Sequence, residues 1–177
     1  MRWATPIPPG RDRHTIVADA SPLILLGRCD ALGLLARLSR AVIVVDAVRD
    51  ECLADARKPG ARAIAHAFSR GGLREQPRHA ACEPIRAPGL GAGEAAAIAL
   101  AEALRCRLLI DERLRRAIAQ RRGIVVVGSL GILLQAKRDG LVDAVEPFVA
   151  RLRAEGMRVS DAIVDELRRR AGERPAA

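Results

Sequence analysis

From residue 15 onward, short aliphatic runs alternate with longer stretches patterned for helices. TIVAD is followed by SPLILLGRCDALGLLARL, AVIVV by DAVRDECLADA, LLID by ERLRRAIAQRR, and IVVVG by SLGILLQAKRDG. Unbroken runs of Val, Ile and Leu belong to strands covered on both faces, and a strand–helix rhythm of this kind builds a parallel sheet with helices on its two sides. GAGEAAAIALAEALR is apolar around nearly its whole circumference, which predicts a buried helix with Glu94 in its first turn behind a Gly91-Ala92-Gly93 lead. Before it, GGLREQPRHAACEPIRAPG is rich in Gly, Pro and charge and reads as a loop with one short strand around Pro84 to Arg86. Two further helical patterns follow residue 142, AVEPFVARLRAEG and SDAIVDELRRR, the second with Ser160 placed to cap it.

These patterns predict one α/β domain over residues 15–148. The Pro-rich residues 1–14 should form a flexible extension, and residues 149–177 a helical extension packed on the domain or on a partner. Lys58-Pro59-Gly60 reads as a turn between helices. With 30 Lys and Arg against 21 Asp and Glu, the net charge is +9, and most of the excess is Arg, which suits a polyanionic partner as well as a merely solvated surface. Four scattered cysteines, without a C-x-x-C pair, point to reduced, packed thiols. No apolar stretch is long enough to cross a membrane, so the expected setting is the cytoplasm.

Ligands of parallel α/β sheets bind beyond the carboxyl ends of the strands. There the sequence places Asp19 and Ser21 after the first run, Asp111 and Glu112 after LLI, and Gly128 and Ser129 after VVV. One such Asp is a good helix cap. Several gathered at one edge would repel each other unless a cation relieved them, and hard ions such as Mg²⁺ or Mn²⁺ take oxygen clusters and then hold phosphates. Glu94 supplies a further carboxylate on a rigid helix. Glu102 looks solvated, Asp46, Asp50 and Glu51 look like an acidic helix start, and His14, His66 and His79 look like surface or loop residues.

The segment IVADASPLILLGRCDALGLLARL resembles the opening of PIN domains, where a strand delivers an Asp followed by Ser and an apolar helix. GAGEAAAIALAEALRCRLLIDERLRRAIAQ is similar to their central motif, and GIVVVGSLGILLQAKRDGLV to the closing strand and helix of small prokaryotic members; the likeness spans Thr15 to Phe148. The resemblance implies a three-layer α/β/α sandwich around a parallel sheet and Mg²⁺- or Mn²⁺-dependent cleavage of RNA, often by the toxin of a type II toxin–antitoxin pair. It matches Asp19, Glu94 and Asp111 to the acidic cluster and Ser21 to the hydroxyl beside it. A fourth acidic position has no plain match, so Glu112 as a substitute and Ser129 as a holder of water stay open. It also implies a homodimer and a small antitoxin that covers the cleft.

On this reading Asp19, Glu94 and Asp111 hold one or two ions for phosphodiester hydrolysis, and Arg113, Arg115 and Arg116 neutralise flanking phosphates. A catalytically silent PIN-like scaffold that binds protein or nucleic acid competes with it. A nucleotide-binding or receiver-type α/β domain fares worse, since no GxxxxGK[ST] loop, no convincing G-x-G-x-x-G and no strand-end Lys in the last strand–helix junction is present.

Overall fold

Five parallel strands and the helices between them make up the computed structural model, which describes residues 12–76, 85 and 87–173. In chain order the elements are β1 (Asp12–Ala18), α1 (Ala20–Arg28), α2 (Leu32–Leu38), β2 (Ala41–Val45), α3 (Asp46–Leu53), α4 (Pro59–Ser69) and β3 (Arg74–Gln76). They continue with α5 (Ala92–Ala103), β4 (Cys106–Leu109), α6 (Arg113–Arg121), β5 (Val125–Val127), α7 (Ser129–Arg138), α8 (Glu146–Ala154) and α9 (Asp161–Arg170). The strand order is β3-β2-β1-β4-β5. The chain therefore leaves β1 in one direction and returns to β4 on its other side, and right-handed crossovers of opposite sense put helices on both faces. The fold is the three-layer α/β/α sandwich, with the topological switch between β1 and β4.

Those two central strands explain the unbroken aliphatic runs: Ile16, Val17, Ala18, Leu108, Leu109 and Ile110 are all wholly buried. Helix α5 lies over them and buries every residue from Ala96 to Ala101, its alanines allowing a close approach to the sheet. The helical run after β1 is broken in two, because Asp30 takes a left-handed backbone (φ 54°) that Asp tolerates better than most residues. Pro59 and Gly60 do not form a turn. Lys58 caps α4, Pro59 opens it, and Gly60 fits against α1, where a Cβ would stand 3.1 Å from the Ile24 carbonyl.

The strand beyond β2 is Arg74–Gln76, polar and at the sheet edge; of the expected strand around Pro84 to Arg86, residues 84 and 86 lie outside the described ones. β1 starts at Asp12, three residues before the aliphatic run. Helices α8 and α9 join the same core through Val149, Leu152, Val164 and Leu167, and Glu173 accepts the Val145 N–H at 2.8 Å. Ser160 does sit at the cap position of α9, although its side chain makes no capping hydrogen bond. Cys29, Cys52 and Cys106 are buried. Among the described residues no helix is long and apolar enough to cross a membrane.

Candidate metal centre at the sheet switch point

The register places the sequence-predicted residues at one edge. Ala18 pairs with Leu109, the Asp19 N–H donates to the Leu109 carbonyl at 3.0 Å, and the Ile110 N–H donates to Val127 at 2.9 Å. Asp19, Asp111 and Ser129 thus stand past the carboxyl ends of adjacent strands, where helix starts converge.

Asp19 is 2% exposed and caps α1 without a side-chain hydrogen bond to the helix's later N–H groups. Burial, opposed by the neighbouring Ala20 N–H, pushes its carboxyl up to about 6, and the charges of Glu94 and Glu51 push the same way while Arg115 pulls it down. Glu51 thus acts on Asp19 by its charge from an exposed position on α3, beyond the first turn, where Asp46 is the acidic residue. One oxygen of Glu51 lies 3.6 Å from where a Cβ on Gly93 would be, beside the glycine lead into α5. Cys52 next to it is a buried thiol, pushed up to about 12 by burial and by Glu51 and Asp19. It is a packing residue rather than a thiolate ligand.

Glu94 occupies the first turn of α5, where Oε2 accepts the Gly91 N–H at 2.7 Å. Its Oε1 stands 2.9 Å from Nε of Arg115. That Nε is buried and makes no hydrogen bond among the described residues, so the pair is held by charge rather than by an aligned donor. Asp111 is fixed from the other side: Ser129 donates to it twice, by N–H at 2.8 Å and by hydroxyl at 2.6 Å. Ser129 is wholly buried, and its hydroxyl serves Asp111.

Gly128 makes this clamp sterically possible. A Cβ there would lie 2.7 Å from Asp111 Oδ1 and 2.8 Å from Arg116 Nη1, closer than real Cβ contacts come.

Glu112 turns away from the cluster to cap α6, accepting from Leu114 and Arg115 N–H at 3.1 and 2.9 Å, and these bonds hold its carboxyl below the usual range. Of the three arginines expected to meet phosphates, Arg113 is exposed, Arg115 faces Glu94, and Arg116 is turned inward, donating to the Ile110 carbonyl at 2.8 Å beside Asp111. Ser21 is exposed in the first turn of α1. Glu102 pairs with Arg122 far from the site.

The donors are all carboxylate oxygens, and the charges of Glu94 and Glu51 add to burial in raising Asp19, which fits a hard divalent cation. Among the described residues no three His, Cys, Asp or Glu side chains are already gathered around a single point. Asp19 feels the charges of Glu94 and Glu51, and Asp111 stands one strand over in its Ser129 clamp.

A family model described as "PIN domain" matches residues 15–173, from the first central strand through the last helix. No curated protein matches the chain.

Proposed function

The chain belongs to the PIN-domain family, of nuclease-type hydrolases that generally depend on divalent metal, and from that premise we propose a metal-dependent endoribonuclease. The observation that carries this reading is the buried Asp19 carboxylate at the switch between β1 and β4, on which the charges of Glu94 and Glu51 act and which, among the described residues, Arg115 offsets. Asp19, Glu51, Glu94 and Asp111 would hold Mg²⁺ or Mn²⁺. The ion supplies Lewis-acid activation of water and offsets charge on the phosphodiester.

The chain's own groups do the positioning. Ser129 fixes the rotamer of Asp111 through two donors, Arg116 braces the Ile110 carbonyl behind it, and the start of α5 holds Glu94. Arg113, exposed at the first turn of α6, is free to meet a flanking phosphate, while Arg115 balances the acidic group until a stronger cation replaces it. The likeness to small prokaryotic PIN proteins extends the proposal to the toxin of a type II pair, a homodimer whose cleft a small antitoxin covers. Growth arrest on induction, relieved by a small co-purifying protein, tests that extension.

A silent scaffold is the second reading. It is favoured by the protein partners that Glu94, Asp111 and Glu112 already have. Cleavage of a structured RNA pool in Mn²⁺, Mg²⁺ or EDTA, with Asp19→Asn, Glu51→Gln and Glu94→Gln, decides between them. Metal-dependent cleavage lost in the folded variants supports the ribonuclease; a folded native chain no more active than its variants supports the scaffold.

A further inference from the structure

At the edge of the sheet, among the described residues, β5 has a strand neighbour on one side only. Beside it, α7 and the segment joining α8 to α9 enclose a groove of about 390 Å³, within the roughly 300–1,000 Å³ of ordinary ligand sites. Its floor is aliphatic, from Val125, Val127, Leu134, Met157, Val159 and Ile163. Asp111 and Gly128 line it at the catalytic edge, and Arg107 lines it at the start of β4, so at about 3.3 Å per residue it extends for about 13 Å.

Its charge is one-sided. Among the described residues Arg107, Arg116, Arg138, Arg158 and Arg170 line it, with Arg170 paired to Glu166 and Arg116 held on the Ile110 carbonyl, and the one lining carboxylate, Asp111, is taken by Ser129. Arg138 and Arg158 are exposed at the rim and enter no ion pair among the described residues. An apolar floor with cations around it fits a ligand with flat apolar parts strung on repeating negative charge, and the end at Asp111 joins it to the carboxylate cluster.

A duplex keeps its bases stacked inside and cannot lay one on such a floor, whereas an unpaired strand can. An acidic peptide would meet the arginines but has no reason to lead to the carboxylates. We propose, resting on the ribonuclease reading, that this groove seats an unpaired nucleotide of the substrate strand next to the scissile phosphate, with Arg138 and Arg158 on the phosphates around it. Among the described residues no aromatic side chain lines the groove, so the base lies on aliphatic surface and guanidinium planes and is held with little sequence preference.

The test measures anisotropy of a labelled, mixed-sequence single-stranded RNA with the full chain in EDTA, in an Asp19→Asn background that cannot cleave. Arg138→Ala/Arg158→Ala should weaken binding on the order of tenfold and lower the salt slope by about 1.4, at about 0.7 for each phosphate no longer neutralised. Arg62→Ala/Arg70→Ala removes the same charge from exposed positions on α4 and at its C-terminal cap and should change binding far less. Blunt duplex RNA should compete poorly. Equal losses in the two double variants, equal competition by duplex, or displacement by polyglutamate where RNA does not bind would each overturn the groove. Cleavage by Arg138→Ala/Arg158→Ala with Asp19 intact separates the two readings: native KM overturns the groove and leaves the ribonuclease standing. Groove-dependent binding by a native chain that never cleaves supports the groove and sinks the ribonuclease.

Discussion

In the metal-free protein Asp19 should cost stability at neutral pH. Its carboxyl is lifted from 3.8 to about 6, and at about 1.4 kcal/mol for each pH unit this makes the ionised form about 3 kcal/mol less favourable in the folded chain. The sign follows from the direction. A carboxyl raised on folding binds its proton more tightly in the native state, so its contribution is intact below about pH 4 and is lost as pH rises through about 6. Asp19→Asn has no such proton to lose. In EDTA the variant and the native chain should therefore melt alike near pH 4, and the variant should be more stable by about 3 kcal/mol at pH 7.5. For a chain of this size that is about 6–12 °C in Tm. Groups that do not face Asp19 cancel in the difference between the two curves. Mn²⁺ should then raise the native Tm by an amount that grows with its concentration, about 2.7 kcal/mol at a hundred times Kd, and leave the variant nearly unmoved. Thermal melts across pH 4–8, with and without Mn²⁺, give both quantities. Parallel native and variant curves over that range would refute a buried, crowded Asp19 carboxylate.

Three other substitutions probe the neighbouring contacts. Gly128→Ala puts a methyl against Asp111 and Arg116 and should cost about 1–3 kcal/mol in urea unfolding, with cleavage reduced because Asp111 is displaced; unchanged stability would show that the clamp has slack. Ser129→Ala keeps the backbone donor but removes the buried hydroxyl bond to Asp111, a loss of about 1–3 kcal/mol, and should lower kcat more than it raises KM. A pure KM effect would mean that Ser129 contacts substrate instead. Arg115→Gln removes the cation that now offsets Glu94, so Mn²⁺ should bind several-fold tighter by calorimetry; weaker binding would make Arg115 a support of the site rather than a competitor for it.

The buried half of the molecule was legible because its physics is repetitive. Strands covered on both faces must be aliphatic throughout, so β1 and β4 announced themselves, and with them the positions just past their ends. What escaped lay where local chemistry has two meanings. β3 reads Arg-Glu-Gln, an edge strand with no apolar face to signal it. Pro-Gly is a turn signal, but Pro at the first helical position is equally good, and Gly60 is needed for the approach of α4 to α1. Glu51 sits among Asp46, Arg49 and Asp50 and looked like one more charge at a helix start. The signal was its phase: Val48 and Cys52 are the buried positions of α3, and Glu51 follows Val48 by three residues, on the side that meets the start of α5.

Asp111 and Glu112 show how adjacent carboxylates after one strand divide their work. The first continues the direction of β4 and falls to the Ser129 clamp; the second takes extended backbone as the cap of α6, and its two oxygens are consumed by that helix's own N–H groups. The same helix start then carries Arg115 back across to Glu94. Capping and site-building are thus one structure: Glu112 fixes where α6 begins, which fixes where Arg115 reaches, which sets the charge felt by Glu94 and Asp19. A fourth ligand is accordingly better sought in Glu51, which has no helix to cap and already shares the field of Asp19, than in the residue next to Asp111.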